Sequence, residues 1–263
     1  MIRTADAPRP LGAARFAPVS LDVLQDRAPL LTRTDRKYVV PIDELEALVR
    51  ALPADTRVLD IGGRSAFRYD SIYFDTPELR SFHSGALGRR RRFKIRSRRY
   101  LDSGDTFLEV KTKGLRGCTV KERLPVAPSA FGTLDGDGLD FIDRALRELR
   151  LPPARELELR PTLRSRYLRT TLLTDDGTGR ATIDTALEWS LPDGRSLRPV
   201  TTSIVESKTA GPAGSIDRAL WRLHRRPCAI SKYTTGLAAL DDHLPGNRWH
   251  RLLTGPLAAR PPR

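Results

Sequence analysis

The chain has 263 residues and carries 46 Lys and Arg against 32 Asp and Glu, so its formal net charge is +14 at pH 7. This length allows one large or two small domains with a buried core. A positive surplus of this size indicates an anionic partner such as nucleic acid, a membrane surface or a phosphate-rich small molecule.

Several classes of protein are excluded by features that the sequence lacks. No apolar run is long enough for a transmembrane helix, and the first residues hold no apolar signal core, so we expect a cytoplasmic protein. Cys118 and Cys228 cannot build a disulfide scaffold or a four-cysteine zinc site. The four histidines are scattered, and there is no Walker loop or glycine-rich dinucleotide turn.

The pattern of apolar and turn residues predicts a disordered segment over 1–19, a folded domain over 20–243 and a flexible Pro/Arg-rich tail over 244–263. The predicted helices are one after Ser20, Ile42–Leu52, a turn at Pro77, Asp140–Arg150, one from Ser215, and Lys232–Leu240. The predicted strands are Arg33–Val40, Phe67–Asp75, Arg90–Leu101, Thr106–Lys113, Cys118–Val126, Glu156–Leu173, Arg180–Thr185, Leu187–Leu191, Leu197–Pro199 and Thr201–Lys208. Strands come in runs instead of alternating with helices, which predicts an α+β fold with mostly antiparallel strands.

Basic residues fall on one side of the predicted strands. Because side chains alternate across a strand, the segment 89–100 has a basic face and an apolar face. The basic face carries Arg90, Arg92, Lys94, Arg96 and Arg98, and the apolar face carries Phe93 and Ile95. Taken alone, this pattern is also typical of a solvated edge strand that charge protects against aggregation.

Five further segments repeat the pattern and favour a second interpretation. They are 33–37, 107–113, 120–123, 160–166 and 204–208. Amphipathic helices need an apolar surface to cover, so we expect the apolar faces to lie outside, beneath the helices, and the charged faces to line a central tunnel. Many cations in an empty tunnel would repel one another strongly, so a phosphate-rich polyanion is the expected occupant.

Nine short motifs occur in an order that resembles a known family. They are Arg33–Tyr38, Ser71–Thr76, Lys94–Arg98, Phe107–Lys111, Val120–Arg123, Arg164–Thr170, Thr182–Thr185, Val205–Lys208 and Ser231–Tyr233. With these motifs, which span about Arg33 to Leu240, the chain resembles the VTC (vacuolar transporter chaperone) domain. This is the polyphosphate polymerase branch of the triphosphate tunnel metalloenzyme superfamily.

The resemblance implies a barrel of about eight antiparallel strands with a cationic interior and helices packed outside. It implies transfer of the γ-phosphate of ATP to a growing polyphosphate chain, with Mn²⁺ or Mg²⁺ as cofactor and Glu206 as the metal ligand. The catalytic cations that it implies are Lys37, Arg96, Arg98, Lys111, Lys121, Arg164 and Lys232. Further phosphate-binding residues would be Lys94, Arg123, Arg166 and Lys208.

Two other functions stay open at this stage. The hydrolase branch of the superfamily carries Glu-x-Glu-x-Lys, and here Phe107 replaces the first acid before Glu109 and Lys111, which weakens a tripolyphosphate or nucleoside triphosphate hydrolase. A non-catalytic polyphosphate- or nucleic-acid-binding module is the second; aromatic residues do not interleave with the strand cations, which disfavours nucleic acid. The resemblance implies ATP and polyphosphate as partners, and any membrane partner would be a separate protein.

The acidic residues of the motifs also have structural interpretations. Glu206 is either the metal ligand or an ion-pair partner of a tunnel cation. For Glu109, an ion pair with Lys111 or a neighbouring Arg is favoured over metal ligation. Asp184 is expected to orient an arginine.

Overall fold

The computed structural model describes residues 15–27, 34–113, 119–174 and 179–258. Its strands are β1 (Ala17–Val19), β2 (Thr34–Pro41), β3 (Arg57–Leu59), β4 (Ala66–Asp75), β5 (Arg92–Tyr100), β6 (Thr106–Lys113), β7 (Thr119–Pro125), β8 (Arg160–Leu173), β9 (Arg180–Ser190), β10 (Ser196–Leu197) and β11 (Thr202–Thr209). Its α-helices are α1 (Leu21–Arg27), α2 (Leu45–Ala51), α3 (Arg80–Ala86), α4 (Gly136–Leu146), α5 (Ser215–Arg222), α6 (Thr234–Leu240) and α7 (His250–Leu253). The predictions made for Arg33, for the start of a strand at Cys118 and for that cysteine itself lie outside the described residues.

Most predicted elements are present, with shifted ends. Helix α4 begins earlier than predicted because the Asp135 side chain accepts a hydrogen bond from the Gly138 amide and caps the helix there. Strand β8 begins at Arg160, later than predicted, since residues 154–158 form turns. The two strands predicted over 180–191 are one strand, β9.

The chain divides into two compact units. The first comprises Met1–Phe67, Tyr167–Leu187 and Pro199–Ile230. Its main sheet has the strand order β2-β11-β9-β8, in which β2 and β9 both run antiparallel to β11. Tyr38 and Val205 on one face of this sheet pack with Leu48 of α2 and Leu220 of α5 in a single core. Helices therefore cover the apolar face of these strands, as the sequence predicts.

The second unit has the same construction. It comprises Arg68–Arg166, Glu188–Arg198 and Ser231–Arg263. Its strand order is β8-β4-β5-β6-β7, with antiparallel pairing from β4 through β7. Ile95 and Val110 on one face of this sheet pack with Phe141 and Ile142 of α4. The opposite face of β5, β6 and β7 carries the charges.

The prediction of a closed barrel of about eight strands was wrong in two respects. The part of the chain that the structure describes holds eleven strands, and within it β2 and β7 each pair on one side only, so strand pairing does not close a barrel. The physical reason is that the alternation of side chains along a strand fixes the face of each side chain. It carries no information on whether the two edge strands of the sheet pair with each other. The antiparallel sheet with covering helices is confirmed.

Ordered elements occur in both segments that were predicted to be disordered or flexible. Strand β1 lies within residues 1–19 and pairs in parallel with β3, and the neighbouring Phe16 is buried. Helix α7 lies within the tail, next to the buried Trp249. No helix among the residues in view combines the length and apolar composition needed to cross a membrane.

Candidate functional site: two charged sheet faces

One charged face belongs to the second unit and is formed by β5, β6 and β7; we call it the Glu109 face. The strand register places Arg96 opposite Glu109, and Glu109 opposite Arg123, so side chains at these and alternate positions share the face. Its basic residues are Arg92, Lys94, Arg96, Arg98, Lys111, Lys113, Lys121 and Arg123. Eight basic side chains accompany one acid, so the face suits a polyanion.

Glu109 is the centre of a buried ion cluster. Its side chain is 2% exposed, accepts a hydrogen bond from Arg96 Nε at 2.7 Å and is bridged by Lys121 Nζ at 2.5 Å. Arg98 Nη1 lies 3.9 Å from the same carboxylate. Burial alone would raise the pKa of Glu109, but these three cations hold it well below its usual range. Glu109 is thus an ion-pair partner of a neighbouring Arg, and it holds three cations in place.

The remaining predicted cations of this unit occupy distinct places. Burial lowers the pKa of Lys121 to about 8, although Glu109 opposes the shift. Lys94 Nζ donates to Ser231 Oγ at 2.7 Å, which links β5 to the segment that carries Lys232. Lys111 is exposed on the Glu109 face. The face therefore offers both ion-paired and solvent-accessible cations.

A buried tyrosine pair orients Arg96. The rings of Tyr73 and Tyr233 are stacked with centroids 5.1 Å apart, and Tyr73 Oη accepts a hydrogen bond from Arg96 Nη1 at 3.2 Å. Tyr233 Oη donates to the Asp75 carboxylate at 2.5 Å, and Asp75 also accepts from the amide of Ser81 in α3. The sequence predicts strands and helices here but not this chain of contacts.

A second charged face belongs to the first unit and is formed by β2, β11 and β9; we call it the Glu206 face. The register places Lys37 and Thr182 opposite Glu206. Lys208 Nζ lies 2.9 Å from Glu206 Oε2, and Lys37 Nζ lies 4.0 Å from Oε1. Burial opposes ionisation of Glu206, but Lys208, Lys37 and Arg169 hold its pKa well below the usual range. Glu206 is therefore an anionic carboxylate among cations.

Arg169 is a residue of this face that the sequence analysis missed. Its guanidinium makes two hydrogen bonds to Asp184, at 2.6 and 2.8 Å, and it also acts electrostatically on Glu206 and Lys208. As expected, Asp184 orients an arginine. In sequence, Arg169 lies in the motif Arg164–Thr170, and Asp184 lies in the strand Arg180–Ser190. The alternation of side chains counted from Arg164, however, would assign Arg169 to the opposite face.

Arg164 and Arg166 are placed elsewhere than the sequence predicts. Both contact Asp70, Arg164 at 2.5 and 2.9 Å and Arg166 at 3.4 Å. Asp70 pairs with Arg99 in the β4–β5 register, whereas the neighbouring Ser71 pairs with Arg98 of the Glu109 face. Because adjacent residues of a strand point to opposite sides, Arg164 and Arg166 lie on the side away from the Glu109 face.

Phe107 occupies the position on the Glu109 face where the hydrolase pattern has its first acid. Phe107 lies opposite Arg98 of the neighbouring strand β5, and the Arg123 guanidinium lies 5.0 Å from the centre of the Phe107 ring. The ring also makes an edge contact with Tyr100, with centroids 5.8 Å apart. An aromatic ring thus supports a cation here, and Glu109 is the single acid of the face.

The donor set around Glu206 fits one divalent cation with few protein ligands. Mg²⁺ and Mn²⁺ prefer oxygen, and Mg²⁺ is commonly bound by one or two carboxylates together with substrate phosphates. Glu206 supplies an ionised carboxylate, and Asp184 is occupied by Arg169. Across residues 15–27, 34–113, 119–174 and 179–258, three or more potential ligands cluster only at Asp241, Asp242 and His243, where the latter two are highly exposed.

Two solved structures illustrate what the fold is similar to. A proposed adenylate cyclase from Vibrio parahaemolyticus is 13% identical, with a TM-score of 0.41 over 78% of this chain and 97% of that chain. A proposed adenylyl cyclase from Hippeastrum, reported to have a dominant triphosphatase activity, is 14% identical, with a TM-score of 0.46 over 81% and 98%. No curated protein matches the sequence.

The sequence itself matches a family. The model of the VTC domain matches residues 32–241, which include both charged faces and most of the strands described above. The chain therefore belongs to the VTC domain family.

Proposed function

We propose that this protein is a metal-dependent polyphosphate polymerase that transfers the γ-phosphate of ATP to a growing polyphosphate chain. The observation that carries the proposal is the composition of the Glu109 face, where eight basic residues surround one acid that is already ion-paired. Such a face has a strong excess of charge for a polyphosphate to neutralise. Membership of the VTC domain family supports the same substrate class.

Phosphoryl transfer needs little covalent help from the protein, so the proposed roles are positioning and neutralisation of charge. Arg96, Arg98 and Lys121, fixed by Glu109, would bind phosphate oxygens in a set geometry. The attacking group is the terminal phosphate of the chain, which is already anionic and requires no strong general base. Further phosphate contacts are proposed for Lys94, Lys111, Arg123 and Lys232.

On the Glu206 face, Glu206 would hold Mn²⁺ or Mg²⁺ together with phosphate oxygens of the substrate. A divalent ion bound there would offset charge on the oxygens of the transferred phosphate. Lys37, Lys208 and Arg169 keep Glu206 ionised and would themselves bind phosphate. Arg164 and Arg166 are left out of the proposed set because Asp70 holds them on the other side of the sheet.

A hydrolase acting on tripolyphosphate or nucleoside triphosphates is the second candidate. Two-metal hydrolysis needs two acidic clusters or a cluster of several acids that bind the metals and the attacking water. On the Glu109 face, Phe107 packs its ring near Arg123 at the position of a carboxylate in the hydrolase pattern, which leaves Glu109 as the single acid of the face. These contacts favour the polymerase.

The test is incubation of the purified protein with ATP and Mn²⁺ or Mg²⁺, followed by a polyphosphate gel and a free-phosphate assay. Glu206→Gln and Lys37→Ala are compared with Glu46→Gln, a control in the exposed part of α2. We expect a ladder of chains from the wild type and the control, and none from the two site variants. Free phosphate without chains would overturn the polymerase in favour of the hydrolase.

A further inference from the structure

Five arginines of the second unit lie together where α3 leads into β5, and we call them the arginine patch. They are Arg89, Arg90, Arg91, Arg92 and Arg248. Arg89 to Arg91 are exposed, Arg92 donates to the Arg89 carbonyl at 2.9 Å, and Arg248 donates to the Gly85 carbonyl at 3.2 Å. Within the ranges that the structure describes, none of the five forms an ion pair with an acidic side chain.

Positive charge is crowded in the patch. Burial and the charge of Arg248 together lower the pKa of Arg92. An anion bound between the two guanidinium groups would relieve their repulsion, because guanidinium and phosphate form paired, charge-assisted hydrogen bonds. The patch is therefore a site of unmatched cations and not a set of surface ion pairs.

The patch continues the row of cations on β5. Arg92 shares the Glu109 face with Lys94, Arg96 and Arg98. Side chains on one face of a strand are about 6.6 Å apart, so these four residues form a row about 20 Å long. Arg89, whose carbonyl accepts the Arg92 hydrogen bond, lies with the adjacent Arg90 and Arg91 at the Arg92 end of this row. A triphosphate is too short to contact both ends of this row, whereas a long linear polyanion is not.

We propose that the arginine patch binds the segment of a polyphosphate chain that extends beyond the Glu109 face, an inference that rests on the function proposed above. The chemistry is that of a linear chain of phosphates, recognised by charge and by the fork of each guanidinium. Leu87, beside the patch, is 63% exposed, which would also suit an anionic lipid surface. Continuity with the row on β5 favours the linear chain, because a lipid surface needs no such alignment.

The experiment measures direct binding of inorganic polyphosphate, without ATP or metal, so that it does not depend on catalysis. Long-chain polyphosphate and tripolyphosphate are titrated into the wild type, Arg90→Gln/Arg91→Gln and the charge-conserving Arg90→Lys/Arg91→Lys. The matched control is Arg144→Gln/Arg147→Gln, which removes the same charge from exposed positions at and just beyond α4, the helix on the other side of the sheet. Melting curves verify that every variant is folded.

We expect Arg90→Gln/Arg91→Gln to raise the Kd for long-chain polyphosphate about tenfold at low salt and to reduce its salt dependence, with tripolyphosphate binding unchanged. The control should bind both anions as the wild type does, and the Lys variant should bind long-chain polyphosphate between the wild type and the Gln variant, because it keeps the charge but loses the guanidinium fork. An equal loss in patch variant and control, or no loss in either, would overturn the proposal. Anionic phospholipid vesicles are titrated as a third ligand. If the patch variant loses vesicle binding but keeps polyphosphate binding, the proposal is also overturned.

These binding data, together with the polyphosphate gel described under the proposed function, separate this inference from that function. If the wild type makes no polyphosphate from ATP but the patch variant still loses long-chain binding, the polymerase fails and the patch stands. If polyphosphate is made and the patch variant binds it normally, the polymerase stands and the patch inference fails.

Discussion

Glu109 and Lys121 form an ion pair of 2.5 Å on the Glu109 face, and burial shifts their pKa values in opposite directions. Three cations surround the Glu109 carboxylate and hold its pKa well below the usual range, so it stays ionised at low pH. Burial lowers the pKa of Lys121 to about 8, although the ion pair with Glu109 opposes the shift. A neutral amine binds phosphate poorly, so the charge of this face should depend on pH.

The first prediction concerns this titration. Binding of tripolyphosphate to the wild type should weaken as pH rises through about 8 and beyond, because Lys121 loses its proton. A bound anion favours the protonated form, so the midpoint in the complex lies at or above this pH. In Lys121→Arg the guanidinium stays charged, and affinity measured by calorimetry from pH 7 to 9.5 should lose this step. An identical pH profile in both proteins would contradict the assignment.

The second prediction concerns the acid. Glu109→Gln leaves Arg96 and Lys121 without their counter-charge, which should lower the free energy of unfolding by about 1–3 kcal/mol, since both cations still reach solvent. A carboxylate with a depressed pKa stabilises the fold above about pH 4 and loses this effect as pH falls. Urea unfolding should therefore show a gap between wild type and Glu109→Gln that closes on acidification.

Glu122→Gln is the control for this comparison, because Glu122 pairs with Val110, is exposed and points away from the Glu109 face. It should unfold as the wild type does. Added tripolyphosphate should narrow the gap for Glu109→Gln, since the anion supplies the missing charge. A Glu109→Gln protein as stable as the wild type would show that the ion cluster does not support the fold.

At the scale of elements, the alternation of side chains along a strand predicts from sequence which face of β5, β6, β7 and β11 is charged. In β5, β6 and β7 the charged residues of the Glu109 face fall at alternate positions, and in β11 Glu206 and Lys208 do the same, so one register places all of them on one side. In β8 the same rule fails. Arg164 contacts Asp70 on the other side of the sheet, and Arg169, of opposite parity, reaches Asp184.

The failure has a physical cause. Charge in β8 falls on both parities, and only long-range partners decide which arginine lies on which face. Asp70 and Asp184 are distant in sequence, and a pattern within one strand carries no record of them. For the same reason the sequence predicts antiparallel strands but does not predict whether the two edge strands, β2 and β7, pair with each other.

A third prediction tests the packing of α6, the helix that follows Lys232. A Cβ at Gly236 would lie 2.8 Å from the Trp189 indole. Gly236→Ala should therefore lower the free energy of unfolding by about 1–3 kcal/mol through overpacking, although alanine favours helices more than glycine. The cost should shrink in a Trp189→Phe background, where the smaller ring leaves space. Thermal unfolding of the four proteins checks this, and a stabilised single variant would contradict it.

At the scale of the whole molecule, the net charge of +14 is concentrated in part on sheet faces whose opposite sides are covered by helices. Like charges in such an array repel, and a bound polyanion should relieve that repulsion. A ligand that binds the folded state alone stabilises it by about 2.7 kcal/mol at a concentration of 100 times Kd.

The fourth prediction follows from this linkage. Tripolyphosphate should raise Tm by several degrees, whereas sodium chloride of equal ionic strength should not, because screening is weaker than direct neutralisation. Differential scanning fluorimetry with both salts measures the difference. Equal shifts for the two salts would indicate general screening and would contradict specific phosphate binding.

The most direct test of the central claim follows the label from ATP. Purified protein is incubated with a divalent metal and either γ-labelled or α-labelled ATP, and long-chain polyphosphate is isolated. We predict label in the polymer from γ-labelled ATP alone, with α label remaining in ADP, and loss of labelled polymer in Glu206→Gln. Release of the γ label as free phosphate without labelled polymer would contradict the polymerase.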